Sequence, residues 1–443
     1  MLAAEESPAG EGGSGEPASE PPVSNFTVQS GSIIWGFAEE VGVGNYANGD
    51  IYVYDIGNGI ELTAPFSTGR NGSMINVQPG LNNSQGWDDQ MQTSSAGGNT
   101  YDEALNIGTQ LPYTLVPGDA VVTVESVDVL ETAASLRLQE AAVLTVVAST
   151  DLPAAGSFRP HFYGPRENRT HQYNESDLDY SILGQYPEVA GYGQFTMEMA
   201  LATTRKPWIE YENTWASTYS HPINNQTPHG SNYGRELAND IAGSIIVLNS
   251  DRSDAEKRDL YVQCVQNGLD NIGAAQNGQQ WQSDGGHNLG RKLSIVLASR
   301  ALGDPSLVQP FDTHQDDMQI FVISQYHVDV TASGFVSDGG DWLPESRDQA
   351  EGKTEPYTTE MIGLPEWAGR AYTIPNGINA HDDARYRRVN GPAICRTALA
   401  CRMFGGVANW GYQPYFDYAD RYQSWIGLSN WTNALWDAYR SEL

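Results

Sequence analysis

Gly234–Leu248 reads GRELANDIAGSIIVL, and its period decides the fold class. Leu237, Ile241, Ile245 and Leu248 recur at the spacing of one helix face. Ala255–Ile272 repeats the pattern with Tyr261, Val265, Leu269 and Ile272. Working outward, Gln194–Thr204, Arg291–Leu302, Gln315–Gln325, Pro392–Phe404, Pro414–Tyr422 and Trp431–Leu443 are further helical candidates. Long polar, aromatic-rich loops join them, the pattern expected of an α/α toroid or an incomplete helical barrel over residues 191–443.

Upstream the period changes. Gly31–Phe37, Asp50–Ile56, Asp119–Val127 and Ala142–Ser149 are short apolar runs, separated by Gly, Asn and Pro clusters. They predict strands, and residues 24–150 are expected to form a β-sandwich-like domain. Residues 151–190 are irregular in pattern and are expected to link the two domains. The expected fold class is therefore multidomain α+β. Residues 1–23 hold five Glu and no basic residue, and read as a flexible acidic tether. Such a stretch follows a removed export signal in many secreted proteins, so a secreted or surface-tethered location is expected.

Charge narrows the partners. The 443 residues carry 55 acidic and 24 basic side chains, for a formal net charge of −31. Nucleic acid is disfavoured, because affinity for a phosphate backbone comes mostly from Lys and Arg. The same field repels anionic polysaccharide in dilute buffer. In salt near that of seawater, however, screening acts over about 4–5 Å and a local basic cleft can still bind one. No run of about 18 apolar residues exists, so no membrane span is expected. Cys264, Cys395 and Cys401 suit neither a metal motif nor a redox motif, and free buried thiols are expected.

Three polar clusters carry the candidate chemistry. The first, WQSDGGHNLGRK at 281–292, gathers Trp281, Asp284, His287, Asn288, Arg291 and Lys292 in a Gly-rich loop before a helix. Its glycines permit tight turns and close approach of a ligand. The plainer reading is a capped helix start with a packed His287. The second runs from Trp208 and Trp215 through His221 to Asn232, Tyr233, Arg235 and Glu236. Its aromatic rings serve equally as core or as sugar platforms. The third lies within His381–Asn390 and includes Arg385, Tyr386 and Arg388. Between Arg370 and Arg402 there are six arginines and two acidic residues. Arginine holds a carboxylate through two parallel hydrogen bonds, and it equally ties helices together. Carboxylates and tryptophans at Asp338–Trp342 and Glu360–Trp367 are weaker candidates. No zinc-protease, phosphate-loop or serine-hydrolase motif is present. No cofactor is expected, although carboxylate-rich loops are compatible with structural calcium.

These residue types suit β-elimination at a uronic acid. Cations and amides offset the substrate carboxylate as it becomes enediolate-like. A base removes the neighbouring proton, and an acid protonates the leaving oxygen. On its DGGH (284–287), NYGRE (232–236) and RYRR (385–388) stretches, the helical part resembles the α/α-toroid polysaccharide lyases. The chain also resembles uncharacterised secreted proteins of marine bacteria. The lyase resemblance implies catalytic roles for His287, Tyr233 and Asn232. It implies substrate contacts from Arg235, Trp281, Asp284, Asn288, Arg291, Lys292, His221, Trp215, Arg385, Tyr386 and Arg388. A glycoside hydrolase with an Asp/Glu pair drawn from Asp284, Glu236, Asp338, Asp341 and Glu366 is the alternative. A non-catalytic glycan-binding or surface protein is a third reading.

Overall fold

The structure, a computed structural model, describes residues 23–69, 71–79, 84–89, 100–126, 138–169, 172–189, 195–209, 234–279, 281, 286, 288–311, 317, 320–332, 357–367, 384–425 and 431–443. Among these residues ten strands come first: β1 (Val23–Ser30), β2 (Ile33–Asn45), β3 (Ile51–Tyr54), β4 (Ile60–Ala64), β5 (Asn71–Ile75), β6 (Ser84–Gln85), β7 (Thr100–Tyr101), β8 (Tyr113–Leu115), β9 (Ala120–Ser126) and β10 (Leu138–Val147). Eight of them form one sheet, ordered β5-β9-β10-β3-β2-β4-β8, with β1 also paired to β2. The two-stranded β6–β7 pair stands apart. The sheet curls into a half-barrel, with ladder irregularities between Asn25 and Thr27, Gly36 and Phe37, and Leu138 and Glu140. Such bulges bend a strand and increase its twist. The expected two-sheet sandwich is thus replaced by a single curled sheet.

The central strands explain this arrangement. Along β9 and β10, successive side chains enter different cores. Val121, Ala142, Leu144 and Val146 fill the inside of the curl together with Trp35, Phe37 and Leu62. Ala120, Val122, Val124, Ala141 and Val143 face the other way and share one continuous core with the helices. Strands covered on both faces need apolar residues throughout, and AVVTV and AAVLTVV supply them. The hollow side needs no second sheet because the curl closes over its own apolar face.

Within the crossing segment, the stretch 157–164 is sunk into the protein, with Phe158, Phe162 and Tyr163 each at most 1% exposed. Arg159 ties the layers together. Its Nε donates to Asp50 before β3 at 2.5 Å, and its terminal nitrogens donate to both Asp270 oxygens at 3.0 and 2.5 Å. Gln266 accepts from the Arg159 backbone N–H and donates to its carbonyl. The charge is buried but fully paired.

Nine helices follow among the described residues: α1 (Met197–Thr204), α2 (Gly234–Leu248), α3 (Asp254–Gln276), α4 (Lys292–Ala301), α5 (Gln325–Ala332), α6 (Ala384–Met403), α7 (Val407–Trp410), α8 (Gln413–Trp425) and α9 (Trp431–Tyr439). All eight residues of the two predicted helix faces are buried. α3 starts with a capping box: Ser253 Oγ accepts from the Glu256 N–H, and the Glu256 carboxylate takes the Ser253 N–H. α2 packs against α1, α3 and α6, and α3 against α4, so both are buried nearly all round.

Gln315–Gln325 departs from the helical expectation. Ile320–Val322 is β11, paired antiparallel with β12 (Pro365–Trp367), and α5 begins only at Gln325. The β-branched and aromatic side chains of IFV fit a pleated surface once a partner strand is supplied from far along the chain. The three cysteines are free and buried, as expected. No described helix is long and apolar enough to cross a membrane.

Candidate functional site

The site lies where α2 meets α6. Two glycines bring the 281–292 loop onto this seam. Gly286 has φ +95° and lies so close to Asn390 of α6 that a β-carbon would overlap the amide oxygen. Gly290 has φ +93°, and a β-carbon there would meet the Ala238 nitrogen of α2 at 2.5 Å. Only glycine accepts both the left-handed backbone and the close approach. Among the described residues, Gly286 thus lies against α6 and Gly290 against the start of α2. Pro392 within α6 deprives the Arg388 carbonyl of its helical donor and loosens the first half of the helix.

The chemistry at the seam centres on two carboxyls one turn apart on α2. Glu236 shares Oε1 with Arg235 at 2.5 Å, while its buried Oε2 meets no hydrogen-bond partner among the described residues. Asp240 is 0% exposed, and neither carboxyl oxygen has such a partner. Burial pushes Asp240 up to about 8, against the pull of Arg396 and with the push of Glu236. Burial also raises Glu236, only partly offset by Arg235. Arg396 itself is driven down to about 10 by its own burial, opposed by Asp240. Its guanidinium lies 4.7 Å from the Trp431 ring centre, and it donates to Thr432 Oγ1 at 3.0 Å and to the Asn239 carbonyl at 3.5 Å. The result is a pair of buried carboxyls, both pushed upward by burial, beside a cation.

Around it, Asn288, Arg291 and Asn390 are each fully buried. Arg291 reaches the Leu289 carbonyl at 2.7 Å and lies 5.6 Å from the Trp281 ring centre. Trp281 is 3% exposed, so this ring packs against the cation and offers no surface platform. Lys292 points away from the seam. Its ammonium pairs with Asp317 and lies 4.8 Å from the Trp410 ring centre, while the Trp410 indole N–H donates to Asp317 at 2.6 Å. Lys292 is thus committed to a buried structural ion pair.

Other expectations resolve individually. His287, Tyr233, Asn232, Asp284, His221 and Trp215 lie outside the described residues. Arg385, Tyr386 and Arg388 fall in the first turns of α6, with side chains outside the described set. Trp208 is core, its indole N–H on the Thr203 carbonyl. Glu366 and Trp367 are buried in β12, where Glu366 lies 3.9 Å from Arg421. Arg402 binds Asp420 through two bonds of 2.9 Å and thereby ties α6 to α8.

Asp240 escaped the sequence reading, although its signal was present: a second acid four residues after Glu236, next to an apolar stripe. Among the described residues no group of three His, Cys, Asp or Glu stands close enough to hold a metal. Comparison with protein-family models, curated proteins and solved structures gives no match.

Proposed function

We propose that the protein is an exported polysaccharide lyase that cleaves a uronic-acid-containing polymer by β-elimination on an open toroid of helices. One observation carries this reading: Asp240 is fully buried, is pushed up to about 8, and has no hydrogen-bond partner among the described residues, beside Arg396 and one turn from Glu236. A uronate carboxylate gains negative character as its neighbouring proton leaves, and donors already in position stabilise it. A neutral Asp240 donates a hydrogen bond that an ionised one cannot. Arg396 supplies charge, and Asn288 and Asn390 supply amides on the same seam. His287 directly follows Gly286 in the sequence, and Tyr233 directly precedes α2. In the proposed mechanism His287 removes the proton and Tyr233 protonates the leaving glycosidic oxygen.

A glycoside hydrolase using Glu236 and Asp240 is the second reading, favoured by the carboxyl pair. It needs one carboxylate ionised at working pH, whereas burial pushes both of these upward. Elimination is therefore the better fit. The test is ultraviolet absorbance while the protein acts on alginate, glucuronan, pectate, ulvan and glycosaminoglycans. Growth of the unsaturated-uronate band that His287→Ala abolishes supports elimination. New reducing ends without that band select the hydrolase, and retention on a glycan with neither signal makes the protein a binding module.

A further inference from the structure

Away from the seam, the crossing segment and α3 enclose a recess of about 220 Å³. At about 30 Å³ per water it holds roughly seven, the bulk of a single six-membered sugar ring. We propose that this recess binds one neutral pyranose unit of a glycan. The inference concerns glycan capture and stands independently of the elimination chemistry.

The lining has the two-sided character that such a ring demands. Pro160, Ile272 and Leu307 give apolar surface suited to the C–H face of a sugar. The side-chain amides of Gln172 and Gln276, both on exposed residues, offer donors and acceptors for its hydroxyls. His161 completes the lining. Its Nδ1 is buried and meets no hydrogen-bond partner among the described residues. The ring lies directly over Gly273 of α3, where any β-carbon would overlap it, so its position is fixed by bare backbone. Burial and the charges of Arg169 and Arg159 push this imidazole down to about 4. It is therefore neutral, with one ring N–H engaged by the Tyr163 backbone.

Charge selects the class of sugar. Arg159 lines the recess, but Asp50 and Asp270 already hold it. Arg169 spends its guanidinium on the carbonyls of Gly118, Phe162 and Gly164. Both cations are already engaged by protein oxygens, so an incoming carboxylate finds no salt-bridge partner here. A neutral ring is therefore accepted and a uronate is not.

The probes are the methyl glycosides of glucose, galactose and mannose, with glucuronate as the charged comparison. The readout is the nuclear magnetic resonance of the His161 imidazole and the Ile272 methyl groups in the full-length chain. At least one neutral glycoside is expected to shift both signals saturably. Gln172→Ala/Gln276→Ala, which alters only exposed side chains, is expected to weaken that binding about tenfold or more, the loss of two neutral hydrogen bonds. Asp240→Asn is expected to leave it unchanged. The proposal is overturned if no glycoside moves either signal at about 100 mM, or if glucuronate binds as tightly as the best neutral ring. The neutral glycosides carry no uronate carboxylate and cannot undergo β-elimination, so a positive titration survives the failure of every lyase assay.

Discussion

Replacing Asp240 by Asn tests the core of the site through stability, without any substrate. In the unfolded chain this carboxyl has its ordinary value of 3.8, and in the fold it is held up to about 8. Below pH 3.8 both states carry the proton, and Asp240 adds no pH dependence. Between the two values the unfolded chain releases the proton while the folded one keeps it, so rising pH favours unfolding. The slope is about 1.4 kcal/mol per pH unit, and the full interval sets a ceiling of about 6 kcal/mol. Asparagine has nearly the same shape and no proton to lose. Urea unfolding of both proteins from pH 4 to pH 9 should show the variant gaining steadily on the wild type, then levelling near pH 8. Other groups that titrate in this window, such as Asp270, held up to about 6, act in both proteins and cancel in the difference. An ill-fitting amide displaces the variant's curve without changing its slope. Parallel curves across the interval would refute the claim that Asp240 is proton-bearing in the fold, and the elimination mechanism would lose its neutral donor.

Three further outcomes follow from the geometry. Arg159→Met strands the buried carboxyls of Asp50 and Asp270 and should cost about 3–5 kcal/mol, read as a fall in the denaturation midpoint at neutral pH, with part of the loss recovered as acid protonates Asp270. Gly290→Ala forces a β-carbon to 2.5 Å from the Ala238 nitrogen at φ +93°; it should destabilise by more than the roughly 1 kcal/mol of a simple left-handed penalty and displace the 286–291 loop, seen as changed Trp281 fluorescence. Ser253→Ala removes the α3 cap and should cost about 1 kcal/mol in thermal or urea unfolding, while leaving every glycan assay unchanged.

Local period was readable in the sequence wherever one face of an element decides its burial. The α2 and α3 faces, the strands around Ile33, Ile51 and Ala120, and the unpaired thiols all follow from spacing alone. Long-range pairing was not readable. Ile320–Val322 lies within a segment of helical pattern and becomes a strand only because Pro365–Trp367 arrives beside it. In the same way, β3 pairs in parallel with β10 across the length of the β region, which turns an expected sandwich into one curled sheet. Asp240 was missed for a related reason. On a helix with one open side, an acid beside the apolar stripe faces water. α2 has α1, α3 and α6 around it, and no residue of α2 announces that enclosure.

Two of the buried acid centres in this chain argue against each other's explanation. Asp50 and Asp270 are held by Arg159 with charge-assisted bonds, as expected where burial serves cohesion between layers. Asp240 has a cation nearby and, among the described residues, no bond to its oxygens. A buried polar group left unbonded costs about 1–3 kcal/mol, and an apolar residue of similar size would remove that cost. The fold supplies complete satisfaction at one buried acid centre and leaves another open. Cohesion explains the first. On the proposed elimination mechanism, the second is the group whose partner arrives from outside, and Gly286 and Gly290 lie against α6 and α2.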